Sequence, residues 1–340
     1  MAGVNASSWV QAHPSYVEPG LIVQYNQASD FKYILYGGKP EVKIGAEDLY
    51  VYVRHLDVRT DVISSQSASN QVPSPQLTFD YASVPSYIQR MRAEYDHHDT
   101  ANVAAWGVSI VEAERRAMWQ GHFQHLRNKA LYGFNAANGE GVLNSPGITQ
   151  ITLPPDPSGA LTVSTYDNGA MAAFLLSQIL AIKSATMQLG MGRKFTILGP
   201  QRTIGSFEYN VVQLTSFQRT GAGSESTKGT VEDIAARNGD EITWGYDDTL
   251  IGKGQGGTDA VVIVMSEVEP RAVEPINTNE FGKMQPALNA CVTMYTDVAA
   301  PIEIPTPLAG GMIDVLTEMR ATPAVAWRPE AVVVVSMQYQ

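Results

Sequence analysis

A single cysteine, Cys291, is all the thiol chemistry this 340-residue chain possesses. An intramolecular disulfide framework and a cysteine-built zinc site are therefore excluded. Cys291, between Ala290 and Val292, reads as a small core residue. Charge is also scarce: Asp, Glu, Lys and Arg make up 17% of the chain, where about 25% is usual. A protein that stays monomeric normally carries more, so the deficit fits a surface much of which faces other protein. The rarer sign is positive. With 23 Lys+Arg against 34 Asp+Glu the formal charge is -11, and no Lys/Arg run is present. Nucleic-acid binding driven by phosphate neutralisation is thereby disfavoured. Long apolar runs are missing too, since Ala331-Val332-Val333-Val334-Val335 is far too short to cross a bilayer. The start, Met1-Ala2-Gly3-Val4-Asn5-Ala6, lacks the basic and apolar segments of a signal peptide. The expectation is a soluble protein made in a reducing cytoplasm. No internal repeat is present.

What the chain does contain is ordered unusually. Residues 1–45 mix Ser, Gln, Asn, Gly and Pro with scattered aromatics, Trp9, Tyr16, Tyr25, Phe31, Tyr33 and Tyr36, and sustain neither a helical nor a strand period. Such a segment suits an extended arm, whose aromatics find little to bury against within the arm itself. Residues 48–62 turn strand-like, with Leu49, Tyr50, Val51, Tyr52, Val53, Leu56, Val58 and Val62. An uncharged polar stretch follows, Ser64-Ser65-Gln66-Ser67-Ala68-Ser69-Asn70-Gln71, closed by Pro73 and Pro75. Extended runs resume at residues 77–81 and 87–95. Two extended arms around a polar tip predict a long β-hairpin. An isolated hairpin is marginal in water, so this one is expected to lean on something outside its own subunit.

Asp99 or Thr100 can cap a helix running without proline to about residue 134. Val103, Trp106, Ile110, Ala113, Ala117 and Gly121 share one helical stripe, and Glu112 can pair with Arg115 and Arg116 on the polar side. Such a helix is a rod of roughly 50 Å. It ends at Asn138-Gly139, a stop and a turn. Beyond a Pro-rich bridge at residues 153–157, the pattern predicts a helix over residues 167–190 and a strand over 194–198. A mobile loop is expected over 221–229, then a short helix over 231–237. Strands follow over 241–244, 260–265 and 292–295. The run at 331–335 is typical of a strand buried on both faces. That is α+β content.

Chemistry is harder to find. His97-His98-Asp99 and the i, i+3 pair His122/His125 are the most metal-like groups, but no third ligand of fixed spacing accompanies either. Solvated histidines and a helix cap explain them. Gly252-Lys253-Gly254-Gln255-Gly256-Gly257 has the glycines of a phosphate cradle in the wrong context, since it leads into a strand and not a helix. No Gly-x-Ser-x-Gly elbow and no Cys/His pairing stands out.

The order of parts, together with two short motifs, resembles the major capsid proteins of tailed bacteriophages. Their shared architecture is the Johnson fold, also used by encapsulins. One motif is the long helix running into Asn138-Gly139-Glu140-Gly141-Val142-Leu143-Asn144-Ser145-Pro146-Gly147-Ile148. The other is Glu318-Met319-Arg320 followed by Trp327-Arg328-Pro329-Glu330-Ala331-Val332-Val333. The resemblance implies an N-terminal arm at residues 1–45 and an E-loop hairpin at 46–92. A P domain with its spine helix would follow at 93–150 and an A domain at 151–317, with closing strands at 318–340 returning to the P domain. It also implies self-assembly through hexamers and pentamers into an icosahedral shell around phage double-stranded DNA, without sequence-specific binding. Scaffolding, portal and cement or decoration proteins are the further partners it suggests. The setting it implies is a virion assembled in the bacterial host cytoplasm, with no membrane. No catalytic, cofactor or metal residue is expected. The residues expected at contacts between subunits are Arg54, Arg59 and Asp61 in the hairpin and Ser65, Gln66 and Asn70 at its tip. Glu112, Arg115 and Arg116 on the spine and Trp9 and Tyr16 in the arm complete the set. An encapsulin-type nanocompartment shell is the alternative within the fold, and a metal-dependent α+β enzyme built on the four histidines the alternative outside it.

Overall fold

The computed structural model describes residues 29–35, 43–45, 47–59, 76–104, 109–186, 189, 192–209, 211–212, 225–266, 292–293, 296–297 and 301–340. Along the chain, a 3-10 turn at Phe31–Ile34 precedes β1 (Lys43–Ile44), β2 (Tyr50–Arg59), β3 (Gln76–Pro85) and β4 (Tyr87–Tyr95). Two helices follow, α1 (His97–Ala104) and α2 (Ile110–Leu131), then β5 (Thr149–Thr152), α3 (Asn168–Ala185), β6 (Lys194–Gly199), α4 (Gln201–Tyr209) and β7 (Val211–Val212). The remainder runs β8 (Glu225–Ser226), α5 (Thr227–Arg237), β9 (Glu241–Tyr246), β10 (Asp259–Met265), β11 (Val292–Thr293), β12 (Thr296–Asp297), β13 (Ile302–Pro307), β14 (Ile313–Ala321), β15 (Val325–Ala326) and β16 (Val332–Met337).

The main core lies around a five-stranded sheet of order β5-β16-β10-β6-β9. Two of its three interior strands, β16 and β10, are antiparallel and buried along their whole lengths, which is why both read as near-continuous Val, Ile and Met. Helix α3 packs on these strands and against α5. Asp167 caps α3 by accepting the Ala170 amide, and Ser226 caps α5 by accepting the Gly229 amide, the expected use of Asp and Ser where the first helical N–H groups lack partners.

A second sheet has β14 at its centre. β14 pairs with β4 over nine residues, from Ile313↔Tyr95 to Ala321↔Tyr87, and with β13 from Ile302↔Glu318 to Pro307↔Ile313. One face packs on α2 through Ala93, Tyr95, Val315 and Met118. The other face carries an ion-pair ladder, Arg90–Glu318 and Arg92–Asp314, each at 2.8 Å, with Arg92 also on Glu94. The hairpin β2–β3 is ten residue pairs long, from Tyr50↔Pro85 to Arg59↔Gln76.

Several expectations need correcting. The rod is two helices, because Ser109 has extended backbone and its Oγ accepts the Glu112 amide at 3.4 Å. A Ser-x-x-Glu start of this kind is a capping signal, and Gly107 and Val108 ahead of it are weak helix formers. The 22 residues of α2 span about 33 Å. The buried stripe is also rotated: Met118 and His122 are buried, whereas Ala113 and Ala117 are exposed, because the sheet beneath offers polar partners such as Thr317. Residues 318–340 divide between the sheets: Glu318-Met319-Arg320 lies in β14, but β16 is inserted between β5 and β10. A strand buried on both faces needs two flanking strands and cover on each side, which the second sheet does not provide. Residues 302–317, whose strand β13 is largely exposed, lie in the sheet built on β14, which also holds β4, and not in the main core. Finally, residues 29–35 are no free arm. Phe31, Ile34 and Leu35 enter the main core, and Asp30 exchanges hydrogen bonds of 3.0 and 2.9 Å with Tyr246. Lys228 and Gly229, expected in a loop, lie in α5.

Candidate functional site

The hairpin is fixed at its root and exposes tyrosines just beyond it. At the root, the Ser86 amide donates to the Leu49 carbonyl at 2.9 Å, and Ser86 Oγ also bonds the Asp48 carbonyl. Buried Arg320 of β14 donates to that same carbonyl at 2.7 Å and to Ser86 Oγ at 3.0 Å. Along the blade, Tyr50, Tyr52 and Tyr81 are 54%, 61% and 67% exposed, and Leu49 is 64% exposed. The three rings form a run, with centroids 6.3 Å apart for Tyr50–Tyr52 and 5.8 Å for Tyr52–Tyr81, the latter edge-on. Aromatic side chains this open in water are the kind that interfaces bury.

Behind the root, the segment after α2 forms a clasp. Glu140 is buried; one carboxylate oxygen accepts the Tyr87 hydroxyl at 2.7 Å, and the other accepts the Phe134 and Asn135 amides at 3.1 and 2.9 Å. Asn144 Nδ2 donates to the Tyr132 carbonyl at 2.7 Å, and Ser145 Oγ accepts the Ala326 amide at 3.1 Å. Gly141 has φ +88°, and a Cβ there would stand 2.4 Å from the Gly133 nitrogen. Only glycine meets both conditions. The first sequence motif is thus the joint between spine helix, hairpin root and the β14–β16 connection.

Lys129 sits inside this joint, 1% exposed. Its ammonium donates to the carbonyls of Ala321 at 3.1 Å and Tyr87 at 3.3 Å, and lies 4.7 Å from the Phe134 ring centre and 5.6 Å from that of Tyr87. Burial pushes its pKa down to about 7, against the opposing pull of Glu140. Burial, with the bond to Glu140, pushes the Tyr87 hydroxyl up to about 12.

His122 is buried between the rings of no ligand set but against Thr317 Oγ1 at 3.0 Å and Gln89 Oε1 at 3.5 Å. His125 packs on Phe134, with ring centres 5.1 Å apart. Burial and then Lys129 hold both below the ordinary histidine range. His97 and His98 stack on each other with ring centres 3.9 Å apart. Among the described residues no group of three or more His, Cys, Asp or Glu is placed to hold a metal, and no helix is long and apolar enough to cross a membrane. A groove of about 310 Å³ between α3 and α5 is lined mainly by Leu176, Leu180, Leu189 and Ile234. Its Lys183 and Asp240 neutralise each other at 2.8 Å.

Of the expected contact residues, Glu112 and Arg115 pair with each other at 3.2 Å, and the Arg115 fork grips Glu303 of β13 at 2.9 and 3.0 Å. Arg115 is therefore committed within the chain. Arg116 is exposed on the outer side of α2, beside Ala113, Ala117 and Trp119, which is 49% exposed. Arg54 and Arg59 stand in β2 opposite Tyr81 and Gln76, and their side chains lie outside the described residues. Asp61, Ser65, Gln66, Asn70, Trp9 and Tyr16 also lie outside them. Sequence reasoning missed Arg320, Lys129, Glu140 and Tyr87. A buried-side position in a paired strand was readable for Arg320, but nothing local marks Tyr87 as the partner of a residue 53 positions away.

No protein-family model and no curated protein matches the chain. Solved structures do match. The capsid of Myoviridae phage XM1 aligns over 99% of this chain and 100% of its own, with a TM-score of 0.68 at 9% identity. A chain of Mycobacterium phage Adephagia aligns over 100% and 99%, with a TM-score of 0.57 at 10% identity. The capsid of an empty GTA particle aligns over 98% of both chains, with a TM-score of 0.54 at 10% identity. Likenesses at such low identity establish the fold: an α+β architecture shared over nearly the whole length.

Proposed function

We propose that this chain, which has the Johnson fold of tailed-phage capsids, is the major capsid protein of such a phage. On this reading it assembles through pentamers and hexamers into an icosahedral shell around double-stranded DNA, and no catalysis is involved. The segment before residue 29 serves as the arm and β2–β3 as the E-loop. Helix α2 with β4, β14 and β13 forms the P domain, and the β5-β16-β10-β6-β9 sheet with α3, α4 and α5 forms the A domain. Arm and hairpin reach neighbouring copies, with Trp9 and Tyr16 in the arm, Arg54, Arg59, Asp61, Ser65, Gln66 and Asn70 in the hairpin, and Glu112 and Arg116 on the spine as contacts. Scaffolding, portal and cement proteins are separate partners. Assembly takes place in the bacterial host cytoplasm and the product is the virion. A net charge of -11 lets the shell hold DNA without adhering to it.

The observation that carries this reading is the hairpin. A ten-pair ribbon with its root held by buried Arg320 and an open row of tyrosines is poorly suited to an isolated chain, since a two-stranded ribbon buries too little to sustain itself. Laid on a neighbour, the same tyrosines supply the anchors. Interfaces repeated by closed symmetry then sum to a kinetically stable shell. Deleting residues 64–71 should leave a subunit with the wild-type circular dichroism spectrum that forms no closed shells. Normal particles from the deletion would refute the role given to the hairpin.

A further inference from the structure

Two cations stand near the end of α2 with no carboxylate partner among the described residues. Arg127 is 8% exposed, and its Nε is enclosed with no hydrogen-bond partner. Among the described residues it makes no ion pair. Nearby, the ammonium of the exposed Lys253 lies 5.4 Å from the centre of the Tyr132 ring and likewise has no carboxylate partner among the described residues. Tyr132 links the two. Its hydroxyl donates to the Thr249 carbonyl at 2.9 Å. Burial holds that hydroxyl above its ordinary value, whereas the nearby Arg127 charge favours the ionised form. The anion in the neighbourhood is Asp247, and it is already used. One of its oxygens accepts the Thr249 amide and hydroxyl at 2.9 and 2.5 Å, and the other accepts the Ser29 hydroxyl. Lys253 is held in place by its turn, where its amide donates to the Leu250 carbonyl at 3.2 Å and Gly254 bonds Thr258 at 2.7 Å.

A guanidinium largely removed from water and left unpaired costs folding free energy. A chain tolerates that cost where a later partner offsets it. We propose that Arg127 and Lys253, around Tyr132, form a receptor for a carboxylate side chain supplied by a second copy of the chain. The inference rests on the assembly reading above and adds a site to it. Charge decides the occupant. Every copy brings 34 acidic against 23 basic residues, so carboxylates without cations are abundant on a neighbour and free cations are rare. A planar fork matches one carboxylate with two parallel hydrogen bonds. A nucleic-acid phosphate is the weaker match, because the chain's net negative charge repels the polyanion that would have to bring it. The exposure that Arg127 retains, which its Nε does not share, gives an incoming group access to the outer nitrogens of the fork.

The test compares purified wild-type chain with R127M, R127K and K253M. It reads the melting temperature of the dissociated subunit and the fraction of protein sedimenting as particles. R127M should melt no lower than wild type, since an unpaired charge is removed, while its particle yield drops about tenfold or more. R127K should lie between the two, and K253M should move in the same direction by less. Particles grown from equal amounts of 14N- and 15N-labelled wild-type chain and treated with a carbodiimide should yield Lys253 joined to an Asp or Glu peptide of the other isotope. Lys253 joined only to its own copy overturns the proposal, as does an R127M subunit that melts lower yet assembles normally. Loss of duplex-DNA binding in R127M with unchanged particle yield overturns it too, in favour of a phosphate. A wild-type chain that forms no particles overturns the assembly reading itself. Normal particles from R127M and K253M overturn this inference alone.

Discussion

Lys129 is the residue whose chemistry departs furthest from its setting. In the unfolded chain it holds its proton up to the ordinary value of 10.5, and in the fold only up to about 7, because burial disfavours the charged form. Between those two values the unfolded chain binds more protons, so stability rises with pH through that window. Below about pH 7 both states are protonated and the cost is constant. His122 and His125 act in the same sense lower down. Burial depresses both, so stability falls as pH drops below the ordinary histidine value. Lys129→Met removes the first of these effects. Its unfolding free energy relative to wild type should be most favourable at pH 7 and below and should decline steadily toward pH 10, measured by urea denaturation across the range. A difference that does not change with pH would show that Lys129 stays charged in the fold. At this scale little was legible. The spacing of His122 and His125 is visible in the sequence, but the groups that give them meaning, Thr317 and Phe134, come from other elements. The Tyr87–Glu140 bond likewise joins residues 53 positions apart.

Elements were far more legible, because periodicity and punctuation act locally. Helices α3 and α5 and the strands β6, β9, β10 and β16 stand within a few residues of where pattern alone puts them, and β2–β3 form the expected hairpin, but residues 87–95, read as part of its second arm, form β4 and pair with β14 instead. The break between α1 and α2 was written in Ser109-Ile110-Val111-Glu112 and was masked by the absence of proline. The destination of β16 was not written at all: a valine run says that a strand is covered on both faces but not by which sheet. The clasp at Gly139-Glu140-Gly141 is an element-scale device, and it predicts that Gly141→Ala is severe. A new Cβ would meet Gly133 N and Tyr132 C, each at 2.4 Å, at a backbone φ of +88°. The loss should exceed about 3 kcal/mol, the upper end of ordinary single substitutions, seen as a lower denaturation midpoint or insoluble protein. A variant as stable as wild type would mean that the joint is not rigid.

For the whole molecule, the proposed function makes this a chain finished by its neighbours. The main core is closed and needs nothing further. The hairpin tyrosines, the outer side of α2 with Trp119 and Arg116, and the unpaired Arg127 lie outside that core or at its margin. Low overall charge was the sequence-level sign of this arrangement, and the fold shared with phage capsids gives it a form. The most direct test is electron microscopy of the purified wild-type chain, expressed alone and with a scaffolding protein if one is needed. The account predicts closed icosahedral particles with pentamers and hexamers, in which β2–β3 of each subunit lies over an adjacent copy. A monodisperse 36.8 kDa monomer under both conditions, with no particles or capsomers, would contradict it.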